Sequence, residues 1–299
     1  MLWAKRSDRS VPVDDVAADV VDAGDAAIQA DRPVVVDGLA SRAGDWTVAK
    51  LLDAIGDVQV RNVFISEQSA RFLYFKADRA GDTSPHLQRA PPMRFREFVE
   101  RSQAACSTGR HYYLYGEPLP SALWRSLPDM ERVLGSTAQL TSSLLWMALD
   151  ATCSPLHYDM CHGLLLQMAG QKRFIMFPPD GIPDAYMHPV GHARMGLVSD
   201  DDRQSQINDI CHPDLAAFPA FAGLRGTQGV VEPGQALVIP YGWMHQIEAG
   251  PGLSISVSTS VHAARTCGLP PAACAGIAGN LLHDAPSAVR DIYLRRMQW

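Results

Sequence analysis

The strongest chemical signal in the sequence is His157-Tyr158-Asp159, followed far along the chain by His245. Two histidines and one carboxylate on one face of a metal form the ligand set of non-haem Fe(II) oxygenases. Because residues i and i+2 of a β-strand project to the same face, His157 and Asp159 can both point into a barrel. His245 would then complete the set from a distant strand, so the spacing predicts an iron site.

A histidine and an aspartate two positions apart are not specific by themselves, since the chain has 10 His and contains a second such pair. That pair, His212-Pro213-Asp214, lies in a long polar stretch. Proline cannot donate to a central strand ladder, so we expect no metal there. The remaining histidines are interpreted as loop or surface residues. His162 is the exception, because its closeness to Asp159 would allow a supporting or substrate-contacting role.

The context of the first pair favours a functional site. The runs Gly163–Met168 and Arg173–Phe177 flank a turn at Gly170 and predict a hairpin. Lys172 enters this otherwise apolar hairpin, and a buried ammonium without an anionic partner is costly. A dicarboxylate cosubstrate would supply that partner. The sequence also predicts that His245 lies just past a strand, in an aromatic turn.

The elements that must position these residues fall into three segments. Residues 1–136 read as helices with a few strands, residues 137–262 as a β-barrel, and residues 266–299 as a helical tail. We therefore predict a mainly β fold with flanking helices and a double-stranded β-helix (jelly-roll or cupin) core, in one domain over residues 1–265. The long polar stretch at residues 180–228 is expected to cover the mouth of the barrel.

The predicted elements are these. Helices are predicted over the first thirty residues, Trp46–Ile55, Phe95–Arg101, residues 272–278 and residues 287–297. N-terminal strands are predicted at Arg32–Gly38, Val58–Ile65, Arg71–Phe75 and Tyr112–Tyr115. Barrel strands are predicted at Leu144–Leu149, Leu164–Met168, Arg173–Phe177, Val230–Glu232, Ala236–Ile239 and Leu253–Val257.

Composition narrows the class of protein. With 47% hydrophobic and 19% charged residues, the chain is typical of a folded domain. The formal net charge of −6 and the absence of a Lys/Arg run make nucleic-acid binding an unlikely role, because phosphate contacts need clustered cations. No apolar run is long enough for a membrane span, and the first residues lack an apolar signal core. The six cysteines form no CxxC pair and are interpreted as reduced thiols, so we expect a cytoplasmic protein.

Several stretches together resemble the Jumonji-C/cupin-8 family of Fe(II)/2-oxoglutarate-dependent oxygenases, and in particular its asparaginyl hydroxylases. The core stretches are SPLHYDMCHGLLLQMAGQKRFIMFPPD, DRQSQIN, HPDLAAFP and VVEPGQALVIPYGWMHQIEA. Weaker upstream stretches are RPVVVDGL, DWTVAKLLDAIGD, RFLYF, MRFREFVER, YYLYGEPL and LTSSLLWMAL. The resemblance covers roughly residues 30–262.

This resemblance implies Fe(II) and O2 as cofactors and 2-oxoglutarate as cosubstrate. It assigns His157, Asp159 and His245 to iron, Lys172, Tyr113 and Ser154 to the distal carboxylate of 2-oxoglutarate, and Arg203 and Gln204 to substrate. Three positions depart from the asparaginyl hydroxylases. Gly163 and Ser258 replace asparagines, and Trp146 replaces a smaller apolar residue. We expect Trp146 to repack the core rather than to shorten the cosubstrate pocket.

The activity implied is hydroxylation of an aliphatic C–H bond in a peptide or protein side chain. The same chemistry on a small molecule, such as a free amino acid or a natural-product intermediate, is the alternative. N-methyl demethylation, RNA-base hydroxylation and a non-catalytic cupin binding protein rank lower. The C-terminal helices resemble a dimerising region, so a homodimer through them is a further expectation.

Overall fold

The regular secondary structure of the described chain is mostly β-strand. The computed structural model describes residues 13–15, 32–40, 46–67, 70–72, 87–106, 108–128, 138–187 and 203–263, together with residues 274 and 277. The helix predicted over the first thirty residues lies outside these ranges. So does nearly all of the predicted helical tail, and with it the dimer interface that it was expected to form.

The strands are bounded as follows. Before residue 137 the chain forms β1 Val13–Asp15, β2 Val34–Val36, β3 Gln59–Val60, β4 Val63–Glu67, β5 Leu87–Arg89, β6 Met93–Arg94 and β7 Arg110–Pro118. After it come β8 Ala138–Ala148, β9 Thr152–Tyr158, β10 His162–Ala169, β11 Lys172–Phe177, β12 Gly226–Val231, β13 Ala236–Ile239, β14 Met244–Ala249 and β15 Ser254–Ala263.

These strands form two main sheets. The larger has eight strands in the order β2-β13-β10-β15-β8-β7-β4-β5, and the smaller has five in the order β1-β12-β11-β14-β9. The order alternates between strands far apart in sequence, and every pairing except β1 with β12 is antiparallel. The remaining two strands, β3 and β6, pair separately. This arrangement confirms the predicted mainly β fold with a jelly-roll core.

Two helices cover the outer face of the larger sheet. Helix α1 spans Val48–Ile55, and the side chain of Thr47 caps its first turn by accepting the Lys50 amide. Helix α2 spans Phe95–Ala105 and extends beyond its predicted end. The buried faces of both helices share one apolar core with the outward side chains of the sheet, such as Leu145. The helices therefore hold the larger sheet rigid from outside.

The inner faces of the two sheets pack on each other at one end. Leu165 and Leu237 of the larger sheet contact Phe174, Met176 and Ile247 of the smaller one in a single buried cluster. This apolar layer closes the barrel at that end. The other end stays open for the cavity described below.

Two predictions about local structure were wrong. The strand predicted at Val58–Ile65 is broken into β3 and β4, because the amides of Arg61 and Asn62 donate to the carboxylate of Glu117 instead of to a neighbouring strand. His245 was expected in a turn past a strand, whereas it is the second residue of β14. The turn ends two residues before His245, at Trp243, whose amide donates to the Pro240 carbonyl oxygen.

The long polar stretch is only partly described, with residues 188–202 outside the described ranges. Its two ends form 3₁₀ turns at Pro179–Ala185 and Pro219–Gly223. These turns pack on the outer face of the smaller sheet through residues such as Ile182 and Phe221. Within the described ranges, no helix has the length and apolar character needed to cross a membrane.

The β10–β11 turn offers a test of the barrel. Gly170 has a φ of +67°, and a Cβ there would overlap the carbonyl oxygen of Leu253. Gly170→Ala is expected to lower the free energy of unfolding by at least about 2 kcal/mol, measured by urea denaturation. Gly109→Ala is the matched control, because its φ is +74° but nothing lies within 4 Å of the added Cβ. It should cost about 1 kcal/mol, for backbone strain alone. An equal loss of unfolding free energy in Gly170→Ala and Gly109→Ala would show that the close approach of Leu253 adds nothing to the cost.

Candidate metal centre

Three predicted ligands meet at the open end of the barrel. His157 lies in β9, Asp159 directly follows that strand, and His245 lies in β14. The two histidines are directly opposed in the antiparallel pair, with ring centroids 4.1 Å apart. One ligand atom from each of the three residues lies within 4.8 Å of the others, and no second group of this kind occurs among the described residues.

A β-bulge in β9 directs these side chains inward. His157 pairs with His245, and Ser154 pairs with Ile247. Pro155 and Leu156 therefore both lie opposite the single residue between His245 and Ile247, which is a β-bulge. Three positions apart on a regular strand, Ser154 and His157 would face opposite ways. The extra residue turns both into the same cavity. Proline suits the position, because it has no amide hydrogen to leave unpaired.

Backbone hydrogen bonds fix the orientation of both imidazoles. The Nδ1 of His157 lies 2.7 Å from the Pro155 carbonyl oxygen, and the Nδ1 of His245 lies 2.9 Å from that of Trp243. A carbonyl can only accept, so each Nδ1 carries the proton and each Nε2 presents a lone pair. This is the tautomer that a metal ligand needs.

The electrostatics suit a divalent cation. Burial and the neighbouring His157 together lower the pKa of His245 to about 4, although Asp159 opposes the shift. His245 is therefore neutral at pH 7 and available as a ligand. The Oδ2 of Asp159 lies 3.7 Å from the Nε2 of His245, and the Asp159 side chain is 46% exposed. Two oriented imidazoles and one accessible carboxylate match the donor set of Fe(II) oxygenases.

A buried cation lies deeper in the same cavity. Lys172, the first residue of β11, is 3% exposed, and its Nζ donates to the Ser256 hydroxyl at 2.6 Å. Its ammonium lies 6.0 Å from the ring centroids of Tyr113 and of Trp146. No carboxylate among the described residues pairs with it, and burial lowers its pKa to about 7. Lys172 therefore has no anionic partner among the described residues, and its cosubstrate role stays a prediction.

The other two predicted cosubstrate residues lie beside this lysine. Tyr113 and Ser154 both line the cavity, and the side chains of Ser154 and Thr152 lie beside the Tyr113 hydroxyl. Burial raises the pKa of Tyr113, so the phenol stays protonated and can donate. Two hydroxyls and one ammonium thus converge on the space that the sequence assigned to a carboxylate.

Trp146 faces the cavity. Its Nε1 donates to the Ser258 hydroxyl at 2.7 Å, and its ring meets that of Tyr115 edge to face at a centroid distance of 4.6 Å. A Cβ on Gly116 would lie 3.4 Å from the indole, so the backbone closes the space beneath the ring. Trp146 is a fixed wall of the cavity and does not only repack the core. Gly163 and Ser258, the other two departures, line the same cavity.

The two predicted substrate residues are placed differently. Arg203 lines the cavity, with its guanidinium carbon 5.6 Å from the ring centroid of Tyr158. Gln204 forms a bridge with His157 through the backbone and is buried, but it does not line the cavity. The described end of the polar stretch therefore lies against β9 and supplies one side chain to the cavity wall.

The second histidine–aspartate pair serves a structural purpose. His212 lies 3.2 Å from Asp209, which also pairs with Arg71 at 2.6 Å, while the Asp214 carboxylate accepts nearby backbone amides. The pair takes no part in the ligand group of His157, Asp159 and His245. The Nδ1 of His162 accepts the Tyr241 amide at 3.3 Å, and His162 does not line the cavity.

The whole cavity has a volume of about 760 Å³. Sequence reasoning missed one part of its wall, which is formed by Asn62 just before β4, Phe64 in β4, Arg89 in β5 and Tyr115 in β7. No motif marks these residues in the sequence, because they come from short strands that converge only through the sheet.

Residues 22–259 of this chain match the family model described as a cupin-like domain. Among similar curated proteins, HSPB1-associated protein 1 homolog from Danio rerio is 31% identical over 119 residues, which are 39% of this chain and 25% of that protein. The tRNA wybutosine-synthesizing protein 5 of Danio rerio is 26% identical over 229 residues, 70% of this chain and 63% of that protein. Lysine-specific demethylase JMJ31 of Arabidopsis thaliana is 30% identical over 117 residues, which are 37% of this chain and 19% of that protein. The chain thus spans about a quarter of the length of the first of these relatives.

The pKa of Lys172 fixes the sign of a pH effect on stability. The folded protein releases this proton near pH 7, and the unfolded chain releases it only near the ordinary value of 10.5. The unfolded state therefore binds more protons between these values, and this group makes stability rise with pH there. In chelator-treated protein, Lys172→Met is expected to be more stable than the native chain below pH 7. The difference should shrink toward pH 10, measured by urea unfolding.

The same substitution at Lys50, which is exposed on α1, is the control, because it removes a lysine without removing a buried ammonium. A stability difference for Lys172→Met that stays constant from pH 6 to pH 10 would show that Lys172 does not titrate in this range.

Proposed function

The chain belongs to the JmjC-type family of cupin-like domains, and from this premise we propose that it is an Fe(II)- and 2-oxoglutarate-dependent dioxygenase that hydroxylates an aliphatic C–H bond of a peptide or protein side chain. Proteins of this family are typically 2-oxoglutarate-dependent oxygenases. One observation carries the proposal. A single cavity holds both a two-histidine, one-carboxylate group and a buried lysine that lacks a carboxylate partner among the described residues.

His157, Asp159 and His245 would hold the metal. Their backbone-anchored imidazoles keep Nε2 unprotonated, and the exposed Asp159 leaves the side facing the cavity accessible. When bound, iron with 2-oxoglutarate and O2 supplies the oxidising chemistry for insertion of oxygen into a C–H bond. The protein's part is to hold both molecules in one geometry and to keep bulk water away.

Lys172, Tyr113 and Ser154 would bind the distal carboxylate of the cosubstrate. An incoming carboxylate favours the charged form of Lys172, so binding draws a proton onto Nζ whenever the empty site is neutral. The Tyr113 hydroxyl donates a hydrogen bond to the same group. Lys172 is already buried, so its unpaired ammonium destabilises the empty site. The cosubstrate carboxylate supplies the missing negative charge.

The names of the relatives suggest more than one class of primary substrate. One relative is a tRNA wybutosine-synthesizing protein and another is a lysine-specific demethylase. The net charge of −6 favours a peptide over RNA for this chain, because phosphate backbones are bound by clustered cations. A small molecule remains the alternative, and a cytoplasmic location remains our expectation.

The proposal predicts Fe(II)-dependent conversion of 2-oxoglutarate to succinate. Lys172→Ala is expected to raise the Kd for 2-oxoglutarate by at least about tenfold, because it removes a charge-assisted hydrogen bond, while metal affinity stays unchanged. Both are measured by calorimetry on protein loaded with Ni(II). Gln171→Ala is the control, since the neighbouring Gln171 is exposed and bonds only to Glu232. Metal binding without succinate formation, across a range of peptides and small acids, would favour a non-catalytic binding protein.

The position of Trp146 predicts selectivity for cosubstrate length. We expect the native protein to bind 2-oxoglutarate at least about tenfold more tightly than 2-oxoadipate, because the indole closes the space beside Lys172. Trp146→Leu should reduce that preference, measured by the same calorimetry. Trp124→Leu is the control, since Trp124 is exposed on a 3₁₀ turn away from the cavity. Discrimination that survives in Trp146→Leu would show that the indole does not set the length.

A further inference from the structure

The cavity that holds the candidate metal ligands and Lys172 is also lined by Arg89, which is exposed on the edge strand β5. Its volume of about 760 Å³ lies in the range of pockets that enclose a drug-sized molecule. The proposed cosubstrate has only ten non-hydrogen atoms, so it leaves room for part of a second molecule. The residues around that remaining space define what the second molecule must carry.

Arg89 is held in place by neutral groups. Its Nε donates to the Arg61 carbonyl oxygen at 3.1 Å, and its Nη2 donates to the Asn62 side-chain oxygen at 2.7 Å. The guanidinium carbon lies 6.0 Å from the ring centroid of Phe64. Neither acceptor carries a charge, and no carboxylate among the described residues pairs with Arg89. None of the described residues accepts a hydrogen bond from its Nη1.

The group that orients Arg89 is itself fixed to β7. Asn62 donates from its side-chain amide to the Gly116 carbonyl oxygen at 2.9 Å, and its backbone amide donates to the Glu117 carboxylate at 2.7 Å. The Tyr115 amide in turn donates to the Asn62 carbonyl oxygen at 2.8 Å. Arg89 is therefore preorganised by a bonded segment of the sheet, although it lies at an exposed edge strand.

Aromatic rings connect the rim to the cosubstrate end. The Phe64 and Tyr115 rings meet at 5.7 Å, and the Tyr115 and Trp146 rings meet at 4.6 Å. Lys172 lies beyond the last of these rings. These rings offer apolar contact to a molecule that is bound at Arg89 in the same cavity.

Among the described residues that line the cavity, Asp159 is the one carboxylate, and neither Lys172 nor Arg89 has a carboxylate partner. Asp159 is assigned to the metal and Lys172 to the cosubstrate. A guanidinium that presents an unused N–H beside neutral neighbours binds a carboxylate better than it binds a neutral group.

We propose that Arg89 binds a carboxylate group of the primary substrate. This inference rests on the proposed function, from which it takes the position of the oxidised C–H bond at the metal. An acidic side chain of a peptide and a free organic acid offer the same chemistry, and the experiment separates these two sources. A nucleic-acid phosphate backbone is disfavoured, because Arg89 is one cation and not a cluster.

The test measures binding and does not need turnover. Full-length protein with Ni(II) and 2-oxoglutarate selects from a synthetic peptide library of random sequence, and calorimetry measures binding of a panel of free amino acids and dicarboxylates. Bound peptides are expected to be enriched about tenfold in Asp or Glu at one position. Arg89→Gln should abolish this enrichment, Arg89→Glu should shift it to Lys or Arg, and Arg89→Lys should retain part of it. If the free acids bind instead and Arg89→Gln removes that binding, the carboxylate belongs to a small molecule.

Arg101→Gln is the matched control, because Arg101 is an exposed arginine on α2 that pairs with Glu97 away from the cavity. All variants should keep the native affinity for 2-oxoglutarate. Binding without preference for an acid, the same preference in Arg89→Gln, or Arg89-dependent binding of a single-stranded oligonucleotide would overturn the inference. Succinate formation is measured separately, so a protein that selects acids through Arg89 without consuming 2-oxoglutarate would refute the proposed function alone.

Discussion

The site depends on one extra residue in strand β9. Without the bulge at Pro155, Ser154 and His157 would face opposite sides of the sheet, and the metal end and the cosubstrate end could not share a cavity. The bulge also brings the Pro155 carbonyl oxygen to within 2.7 Å of the His157 Nδ1, which selects the tautomer. This single bulge therefore sets the position, the direction and the tautomer of the His157 imidazole.

A second constraint is the cost of a buried charge. Lys172 is enclosed by Ser256, Tyr113 and Trp146, and none of them can neutralise an ammonium. The folded protein tolerates this because the rest of the barrel is apolar and well packed, with Phe174 and Met176 fully buried on the same strand. Stability is given up at the position where a ligand of opposite charge is proposed to bind, as is common at functional sites.

Sequence reasoning brought together the candidate metal ligands and Lys172, which line one cavity, because their signals are local. The histidine–aspartate spacing follows from strand geometry, and a lysine in an apolar hairpin is conspicuous. It failed where structure is set by distant partners. The break between β3 and β4 depends on the Glu117 carboxylate, and the strand position of His245 depends on pairing with β9. The apolar pattern also passed over β9, since Thr152, Ser154 and Pro155 hide its strand character.

One strand joins the two ends of the cavity. Tyr113 lies at the cosubstrate end of β7, Tyr115 belongs to the aromatic surface, and the Glu117 carboxylate holds the segment that orients Arg89. Between Tyr113 and Glu117 the strand is irregular, because its pairing with β8 shifts register after Leu114 and Gly116 has a φ of +64°. If Arg89 and the metal each bind one part of the same molecule, β7 fixes the distance between these two binding groups. The protein would then select substrates by the separation of two chemical groups as well as by the identity of those groups.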